Sequence, residues 1–250
     1  MVFAKEIYDY INSFAPFDTA MSFDNVGLLI GNSEQSTDLV LLALDVTPDV
    51  ISEAVQKGAK IIVSHHPIIF NPLKSIQTDS VPYLAIQNRL TVISAHTNLD
   101  IAPDGVNDTL AQAIGVHFTE HTNEDCMLTG ELAEETDTKN FALKIKSVLG
   151  CHGLRYTERN GKFKRVAVAC GAGGDSIFAA ENAGAQAFVT GEIKHHEILF
   201  ALEKNISIFD LGHFCSEDLI ITKLTSILSE KFPDAKFEKA KSDTDKVKYL

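Results

Sequence analysis

Short apolar stretches rich in β-branched residues alternate along the chain with longer segments in which apolar residues recur at helical spacing. In the first half, LVLLALDV precedes PDVISEAVQKG, KIIVS precedes VPYLAIQNRL, and TVISA precedes DGVNDTLAQAIG. The second half continues with CMLTGEL, DTKNFALKIKSVLG, KRVAVAC, DSIFAAENAG, AFVT, KHHEILFALEKN, SIFDL and SEDLIITKLTSILSEKF. This alternation of strands and helices predicts an α/β fold with two lobes.

The two predicted lobes are separated by a break in the pattern near residues 117–126. We assign residues 1–125 to the first lobe and residues 126–220 to the second. In the polar segment that follows, Ala235 to Ala240 are predicted to form one short strand.

Polar residues of the kind that bind ligands follow five of the predicted strands. These segments are HHP, HTNLD, GAGGDS, GEIKHHE and GHFCSE. In open α/β sheets the crevice beyond the carboxyl ends of the strands is where ligands bind. Six of the nine histidines lie at such strand ends: His65, His66, His96, His195, His196 and His213. The sequence therefore predicts a functional site there.

The histidine and carboxylate spacing indicates a dinuclear metal centre. His65 and His66 are adjacent at a strand end, where successive side chains point to opposite sides, so the pair suits two neighbouring ions better than one. Asp100 supplies a carboxylate from the next strand end. His213 and Glu217 share one face if a helix begins there. Mixed imidazole and carboxylate ligands suit zinc, manganese or ferrous iron.

Other interpretations of these segments remain open at the level of sequence. HHP is compatible with a turn whose imidazoles bind backbone groups. In an extended segment His213, Cys215 and Glu217 would face one way, whereas the apolar periodicity that follows favours a helix with Cys215 as a buried small hydrophobic residue. GAGGDS can bind a substrate phosphate through Gly173 and Gly174, or its glycines can serve tight packing between strand and helix.

The GEIKHHE segment adds candidate catalytic groups. On a helix that starts there, His195 and His196 are about 100° apart, so one of them reaches the crevice, and we favour His195. His96, Glu192 and His195 are candidates for proton transfer or for support of the ligands, and Lys194 for binding a substrate phosphate. A structural role is equally compatible with each of these four side chains.

Charge and composition narrow the classes of partner. The chain of 250 residues has 22 basic and 34 acidic side chains and a net charge of −12, which argues against nucleic acid and membrane surfaces as partners. The longest apolar runs are strand-sized, and acidic residues in the first segment argue against a secretory leader. Four cysteines without CxxC spacing predict a reduced, cytoplasmic chain without disulfides.

Four motifs in series, SHHP, SAHTNLD, TGEIKHH and GHFCSE, together with the earlier FDNVGLLIG, resemble the NIF-three-like family, also called GTP cyclohydrolase I type 2 homologues. The resemblance runs from about residue 21 to residue 230. It implies two interlinked α/β lobes with mixed sheets, a dinuclear metal site at the strand carboxyl ends between the lobes, and a toroidal homohexamer. We therefore expect residues 220–250 to complete the first lobe.

The resemblance also implies the ligands and the chemistry. Two divalent ions per subunit would be bound by five side chains: His65, His66, Asp100, His213 and Glu217. Phe214 stands where some relatives carry a second histidine, so no sixth ligand is named. The implied function is a dinuclear-metal-dependent hydrolase that acts on a nucleotide or a related phosphorylated small molecule. The alternative is a metal-binding scaffold or regulatory interaction protein without turnover, because fold and metal do not decide function.

Overall fold

Residues 1–122 and 126–250, apart from the side chain of Phe118, are described by the structure, which is a computed structural model. The chain divides into two units. Unit 1 contains Met1–Ala102 and Ile220–Thr244, and unit 2 contains Pro103–Leu219 and Asp245–Leu250. The division thus falls after Ala102, whereas the sequence pattern placed a boundary near residue 125.

The secondary structure follows the predicted alternation. The strands are β1 (Val2–Phe3), β2 (Gly27–Ile30), β3 (Ser36–Thr37), β4 (Leu39–Ala43), β5 (Ile61–Ser64), β6 (Thr91–Ser94), β7 (Val116–Thr122), β8 (Met127–Thr136), β9 (Arg155–Tyr156), β10 (Phe163–Ala169), β11 (Ala187–Thr190), β12 (Ser207–Asp210) and β13 (Lys236–Lys239). The helices are α1 (Ala4–Phe14), α2 (Pro48–Lys57), α3 (Val81–Gln87), α4 (Thr97–Ile101), α5 (Val106–Ile114), α6 (Thr138–Leu149), α7 (Ile177–Asn182), α8 (His195–Glu203) and α9 (His213–Lys231).

Unit 1 is built on a mixed sheet with the strand order β13-β4-β5-β6-β2 among the described residues. The first four strands of this order are parallel to one another, and β2 is antiparallel to β6. Every residue of β5 and β6 is buried, as expected for parallel strands that are covered on both faces. The strand predicted between Ala235 and Ala240 is confirmed as β13.

Local signals in the sequence explain where the helices of unit 1 begin and end. At the start of α2, Thr47 Oγ1 accepts a hydrogen bond from the Val50 amide, and Pro48 occupies the first turn. At its end, Gly58 adopts a left-handed conformation with φ of +76°, which glycine tolerates without strain. The apolar face of α2 then packs on the sheet through Val50, Ile51 and Ala54.

Unit 2 is built on a second mixed sheet, with the described strands in the order β7-β8-β10-β11-β12-β9. Strands β10, β11 and β12 are parallel, and β8, β7 and β9 extend the sheet with antiparallel pairs. Three fully buried rings, Phe141, Phe163 and Phe209, contact one another in its core at centroid distances of 5.0–6.0 Å. The predicted α/β fold with mixed sheets is therefore confirmed.

The break predicted near residues 117–126 is wrong for residues 117–122, which belong to β7; residues 123–125 lie outside the described residues. The polar residues of this segment interrupt the apolar pattern, which is why the sequence predicts a break there. They are explained by the position of β7 at the edge of the sheet, where polar side chains such as Glu120 are common. The packing of α5 and β7 in unit 2 also explains why the division falls after Ala102.

The prediction that the cysteines form no disulfide is wrong as well. Cys151, which follows α6, is bonded to Cys215 in the first turn of α9, with their Cα atoms 5.8 Å apart. A separation of 64 residues leaves no local signal in the sequence, because the fold alone brings the two segments together. Among the described helices, none is long and apolar enough to cross a membrane.

Candidate metal centre

Three histidines meet at one edge of the unit 1 sheet. His65 and His66 follow β5, and His96 follows β6. Because β5 and β6 are adjacent and parallel, their carboxyl ends bring these side chains together. The ring centroids lie 5.0 to 5.6 Å apart, and one nitrogen of each ring lies within 4.8 Å of the others. Imidazole nitrogens at this spacing can share a metal ion.

Hydrogen bonds fix the orientation of the first two rings. His65 Nδ1 donates to the carbonyl oxygen of Ala95 at 2.8 Å, and His66 Nδ1 donates to Asp45 Oδ1 at 2.9 Å. A carbonyl oxygen or an ionised carboxylate only accepts, so in each neutral ring the proton is on Nδ1. The lone pair is then on Nε2, the nitrogen that would coordinate a metal.

His96 is held in the same way by an ionised carboxylate. Its Nδ1 donates to Asp24 Oδ1 at 2.9 Å, while the backbone amide and hydroxyl of Thr97 donate to Asp24 Oδ2 at 3.0 and 2.5 Å. Burial raises the pKa of the Asp24 carboxyl, but the hydrogen bonds from His96 and Thr97 outweigh it and bring the pKa to about 2. Asp24 is therefore charged at neutral pH.

Asp100 adds an oxygen ligand to this unit. Its backbone amide donates to the carbonyl oxygen of His96 at 3.0 Å, which forms the first turn of α4. The turn places Asp100 Oδ1 3.4 Å from His65 Nε2, the ring nitrogen with the lone pair. The predicted ligands His65, His66 and Asp100 are thus close together, and His96 joins them.

A second group lies at the strand carboxyl ends of unit 2. The helix predicted to begin at His213 is present as α9, and His213 Nε2 lies 3.2 Å from Glu217 Oε2 one turn later. Glu192, which follows β11, accepts a hydrogen bond from His213 Nδ1 at 2.8 Å. The lone pair of this ring is again on Nε2, beside the carboxylate of Glu217.

Gly171, the first residue of GAGGDS, is required by this group. Its φ is +56°, and a Cβ atom there would collide with Glu217 Oε1 and lie 3.2 Å from His213 Nε2. A larger residue would therefore displace the carboxylate and crowd the imidazole. The first glycine of GAGGDS therefore leaves the space that the candidate ligands Glu217 and His213 occupy.

The other two glycines of the motif lie in close packing. A Cβ on Gly173 would be 2.6 Å from Ala169 Cβ, and one on Gly174 would be 2.6 Å from the carbonyl oxygen of Glu192. These contacts explain both glycines without a ligand, which is one of the two interpretations that the sequence left open. Their role in phosphate binding stays a prediction.

The GEIKHHE side chains lie at the start of α8. Lys194 Nζ is 3.2 Å from Oε1 of the buried Glu197, and Lys194 itself is largely exposed. His195 and His196 are both exposed. Within the part of the chain that the structure describes, neither histidine belongs to a group that could hold a metal. The catalytic role of His195 therefore stays a prediction.

Asp45 and Asp24 were not identified from the sequence. Asp45 lies two residues after the end of β4, the neighbour of β5, so the rule that located HHP and HTNLD could also have indicated it. Asp24 precedes the antiparallel strand β2, whose first residues lie beside the end of β6, and only the topology reveals this.

The donor set fits a divalent transition metal. Three imidazoles in unit 1 and one in unit 2 are oriented by oxygen acceptors at Nδ1, and carboxylates lie near them. Zinc, manganese and ferrous iron accept such mixed nitrogen and oxygen ligands, and orientation of metal-binding histidines through their other nitrogen is a usual feature of metal sites.

These features define an α/β protein with histidine and carboxylate groups at the carboxyl ends of its strands. Residues 2–247 match the family described as Duf34/NIF3 (NGG1p interacting factor 3), and the chain belongs to this family. The resemblance noted in the sequence is thereby confirmed.

Similar proteins from three organisms support the assignment. A GTP cyclohydrolase 1 type 2 homolog of Clostridium perfringens is 33% identical over 98% of this chain and 99% of its own length. Another, of Clostridium acetobutylicum, is 34% identical over 85% of this chain and 84% of its own length. The crystal structure of a Bacillus cereus protein related to NIF3 has a TM-score of 0.92 and 25% identity, and covers 100% of this chain and 99% of that chain.

Proposed function

We propose that this chain is a dinuclear-metal-dependent hydrolase that acts on a nucleotide or a related phosphorylated small molecule. The observation that carries the proposal is the orientation of the histidines. His65, His66, His96 and His213 each donate from Nδ1 to an oxygen acceptor, which leaves the lone pair of each ring on Nε2. In His65, His66 and His213 this nitrogen is the proposed metal-coordinating atom, and in His96 it is available to accept a proton. The name of the two Clostridium relatives, GTP cyclohydrolase 1 type 2 homolog, supports a nucleotide as the substrate class.

The proposed ligands to two divalent ions are the five residues that the family motifs imply: His65, His66, Asp100, His213 and Glu217. When bound, such ions polarise an electrophilic carbon or phosphorus and stabilise the negative charge that develops during hydrolysis. They also offset the net charge of −12, which otherwise disfavours an anionic substrate.

The other predicted site residues would act around these ligands. His96 accepts a proton at Nε2, because its Nδ1 proton is held by the ionised Asp24. Glu192 orients His213 through the 2.8 Å hydrogen bond. His195 is proposed to transfer a proton from the start of α8, and Lys194, together with Gly173 and Gly174, to bind a substrate phosphate.

Metal analysis of the purified chain tests the proposal. We expect about two divalent ions per chain in the wild type, and loss of bound metal and of hydrolysis in His66→Ala and His213→Ala. His117→Ala is the matched control, because His117 is exposed on β7 and, among the described residues, belongs to no group that could hold a metal. GTP consumed without phosphate release would support ring hydrolysis, whereas release of phosphate would indicate a phosphoesterase. Retained turnover in a metal-free chain would contradict the proposal.

We also propose the homohexamer that the family resemblance implies. Light scattering coupled to size exclusion should then give a mass about six times that of the single chain of 27.3 kDa. A mass equal to that of one chain would contradict this proposal without affecting the metal centre of the subunit.

A further inference from the structure

The disulfide of unit 2 is bonded to the helical turn that carries two of the proposed metal ligands. Cys215 lies between His213 and Glu217 in the first turn of α9, and its partner Cys151 follows the end of α6. The bond thus ties this turn to a segment 64 residues away in the sequence. The first turn of a helix is less constrained than its middle, because its amides have no acceptors within the helix.

The cross-link holds the turn from the side opposite to the ligands. Residues two positions apart in a helix are separated by about 200° around the helix axis. Cys215 therefore points away from the face shared by His213 and Glu217. Cys215 packs instead against the core cluster that contains the buried Cys151. On the ligand side, Ser216 Oγ accepts from the Gly171 amide at 3.0 Å. The turn is therefore anchored on two sides.

Other contacts join the same two segments independently of the disulfide. Strand β9 pairs with β12, which leads into α9, and Arg155 forms an ion pair with Asp210. Tyr249 packs against Gly153, two residues after Cys151, and against Gly212, three residues before Cys215. These contacts do not depend on the sulfur bond, so opening it should loosen the first turn of α9 and leave the fold of unit 2 intact.

We propose that the Cys151–Cys215 disulfide is a redox-sensitive positioning element for the metal ligands His213 and Glu217. The closed disulfide fixes the turn in the geometry that binds a divalent cation, and reduction lowers the affinity of this pair. This inference rests on the proposed function, because it requires that His213 and Glu217 bind metal. The disulfide acts through the ligands and does not itself contact the ion.

The reductant would be a dithiol, which restores two thiols by exchange. A thiolate of the dithiol attacks Cys215 Sγ, the S–S bond to Cys151 breaks, and Cys151 leaves as a thiolate that takes up a proton. The second thiol of the reductant attacks the mixed disulfide and releases the Cys215 thiol. Two electrons pass to the protein, and the reductant becomes its own disulfide. Cys215 is the more exposed residue of the pair, so its sulfur is the expected point of attack.

Manganese affinity of the full chain in its two redox forms tests the inference. The chain is stripped of metal, one portion is treated with dithiothreitol and desalted under nitrogen, and Mn²⁺ binding is measured by equilibrium dialysis. Alkylation and mass spectrometry count the thiols, which should be two of the four cysteines before reduction and four after it. Mn²⁺ is the probe because it prefers oxygen and nitrogen ligands, so the new thiols do not compete.

We expect reduction to weaken one class of Mn²⁺ site by about 10-fold or more, the range seen when the support of a metal ligand is lost. Reoxidation should restore the affinity. The double variant Cys151→Ala/Cys215→Ala should bind as weakly as the reduced wild type and should not respond to dithiothreitol. Cys126→Ser/Cys170→Ser, which retains the disulfide, is the matched control and should respond as the wild type does.

Two results separate this inference from the proposed function. Equal Mn²⁺ affinities in both redox forms, or four thiols in the untreated chain, would overturn the redox role while the metal centre stands. Failure of both the oxidised and the reduced form to bind Mn²⁺ would overturn the proposed function and this inference with it. In His213→Ala the Mn²⁺ binding that remains should not change when the disulfide is reduced. A redox effect that persists in this variant would show that the disulfide does not act through His213 and Glu217, and would overturn the inference. If the alanine double variant does not fold, the Mn²⁺ affinities of the oxidised and reduced wild type still decide whether the disulfide affects metal binding.

Discussion

At the scale of single residues, the candidate centre depends on which nitrogen of each histidine carries the proton. The Nδ1 partners are a backbone carbonyl oxygen for His65 and carboxylates for His66, His96 and His213. These partners set the ring orientation as well as the protonation state, so they affect metal binding without touching the metal.

Asp45 provides a direct test of this effect. Asp45→Ala removes the acceptor of His66 Nδ1, so the ring can rotate and exchange its tautomer. We expect the metal affinity measured by equilibrium dialysis to fall by about 10- to 100-fold. Asp79→Ala, at an exposed loop position, is the control and should bind as the wild type does. Unchanged affinity in Asp45→Ala would show that its carboxylate does not support the ring.

Gly171 allows steric displacement of the ligands to be separated from backbone strain. Gly171→Ala places a Cβ against Glu217 Oε1 and His213 Nε2, so we expect loss of metal binding by this pair. Gly150→Ala is a matched control, because its φ of +67° imposes a similar strain while no atom lies within 4 Å of the added Cβ. Both variants should lose about 1 kcal/mol of stability. Equal metal affinity in the two variants would contradict the steric argument.

At the scale of elements, the sequence predicts the alternation of strands and helices well, because parallel strands are continuously apolar and helices keep their periodic spacing. It also locates HHP and HTNLD, since ligand-type residues follow buried strands. The edge strand β7 was missed because edge strands tolerate polar residues. The Cys151–Cys215 bond and the pairing of Asp24 with His96 depend on long-range topology, for which spacing carries no signal.

Glu53 on α2 illustrates how one element holds another. It accepts hydrogen bonds from the backbone amides of Lys241 and Ser242 in the segment after β13, and Lys57 pairs with it at 2.8 Å. Burial raises its pKa, but the hydrogen bonds from Lys57 and Ser242 outweigh this and lower the pKa to about 2. The ionised carboxylate therefore stabilises the folded state.

The pH dependence of this stabilisation can be measured. Because the folded pKa lies below the ordinary value of 4.5, the stabilisation is complete above pH 4.5 and is lost as the pH falls to about 2. We expect Glu53→Gln to lower the free energy of unfolding by about 1 kcal/mol at pH 7 and by almost nothing near pH 2. Denaturant titrations at both pH values check this, with Glu134→Gln, an exposed site on β8, as control. A difference that is independent of pH would refute the electrostatic origin.

At the scale of the whole molecule, acidic residues outnumber basic ones by 34 to 22. The resulting repulsion of like charges works against the folded state. Divalent cations would reduce this repulsion, and they would bind only where folding has brought the histidines and carboxylates together. Metal binding and folding should therefore be coupled.

This coupling predicts that metal raises the unfolding temperature. A cation that binds only the folded chain, present at about 100 times its dissociation constant, adds about 2.7 kcal/mol to the free energy of unfolding. Calorimetry of the chelator-treated chain with and without Mn²⁺ should show the increase. In His66→Ala the increase in unfolding temperature should be smaller than in the wild type. In His117→Ala, the exposed control, it should equal that of the wild type. An equal increase in all three proteins would mean that Mn²⁺ acts by screening the net charge, because screening does not depend on an individual histidine.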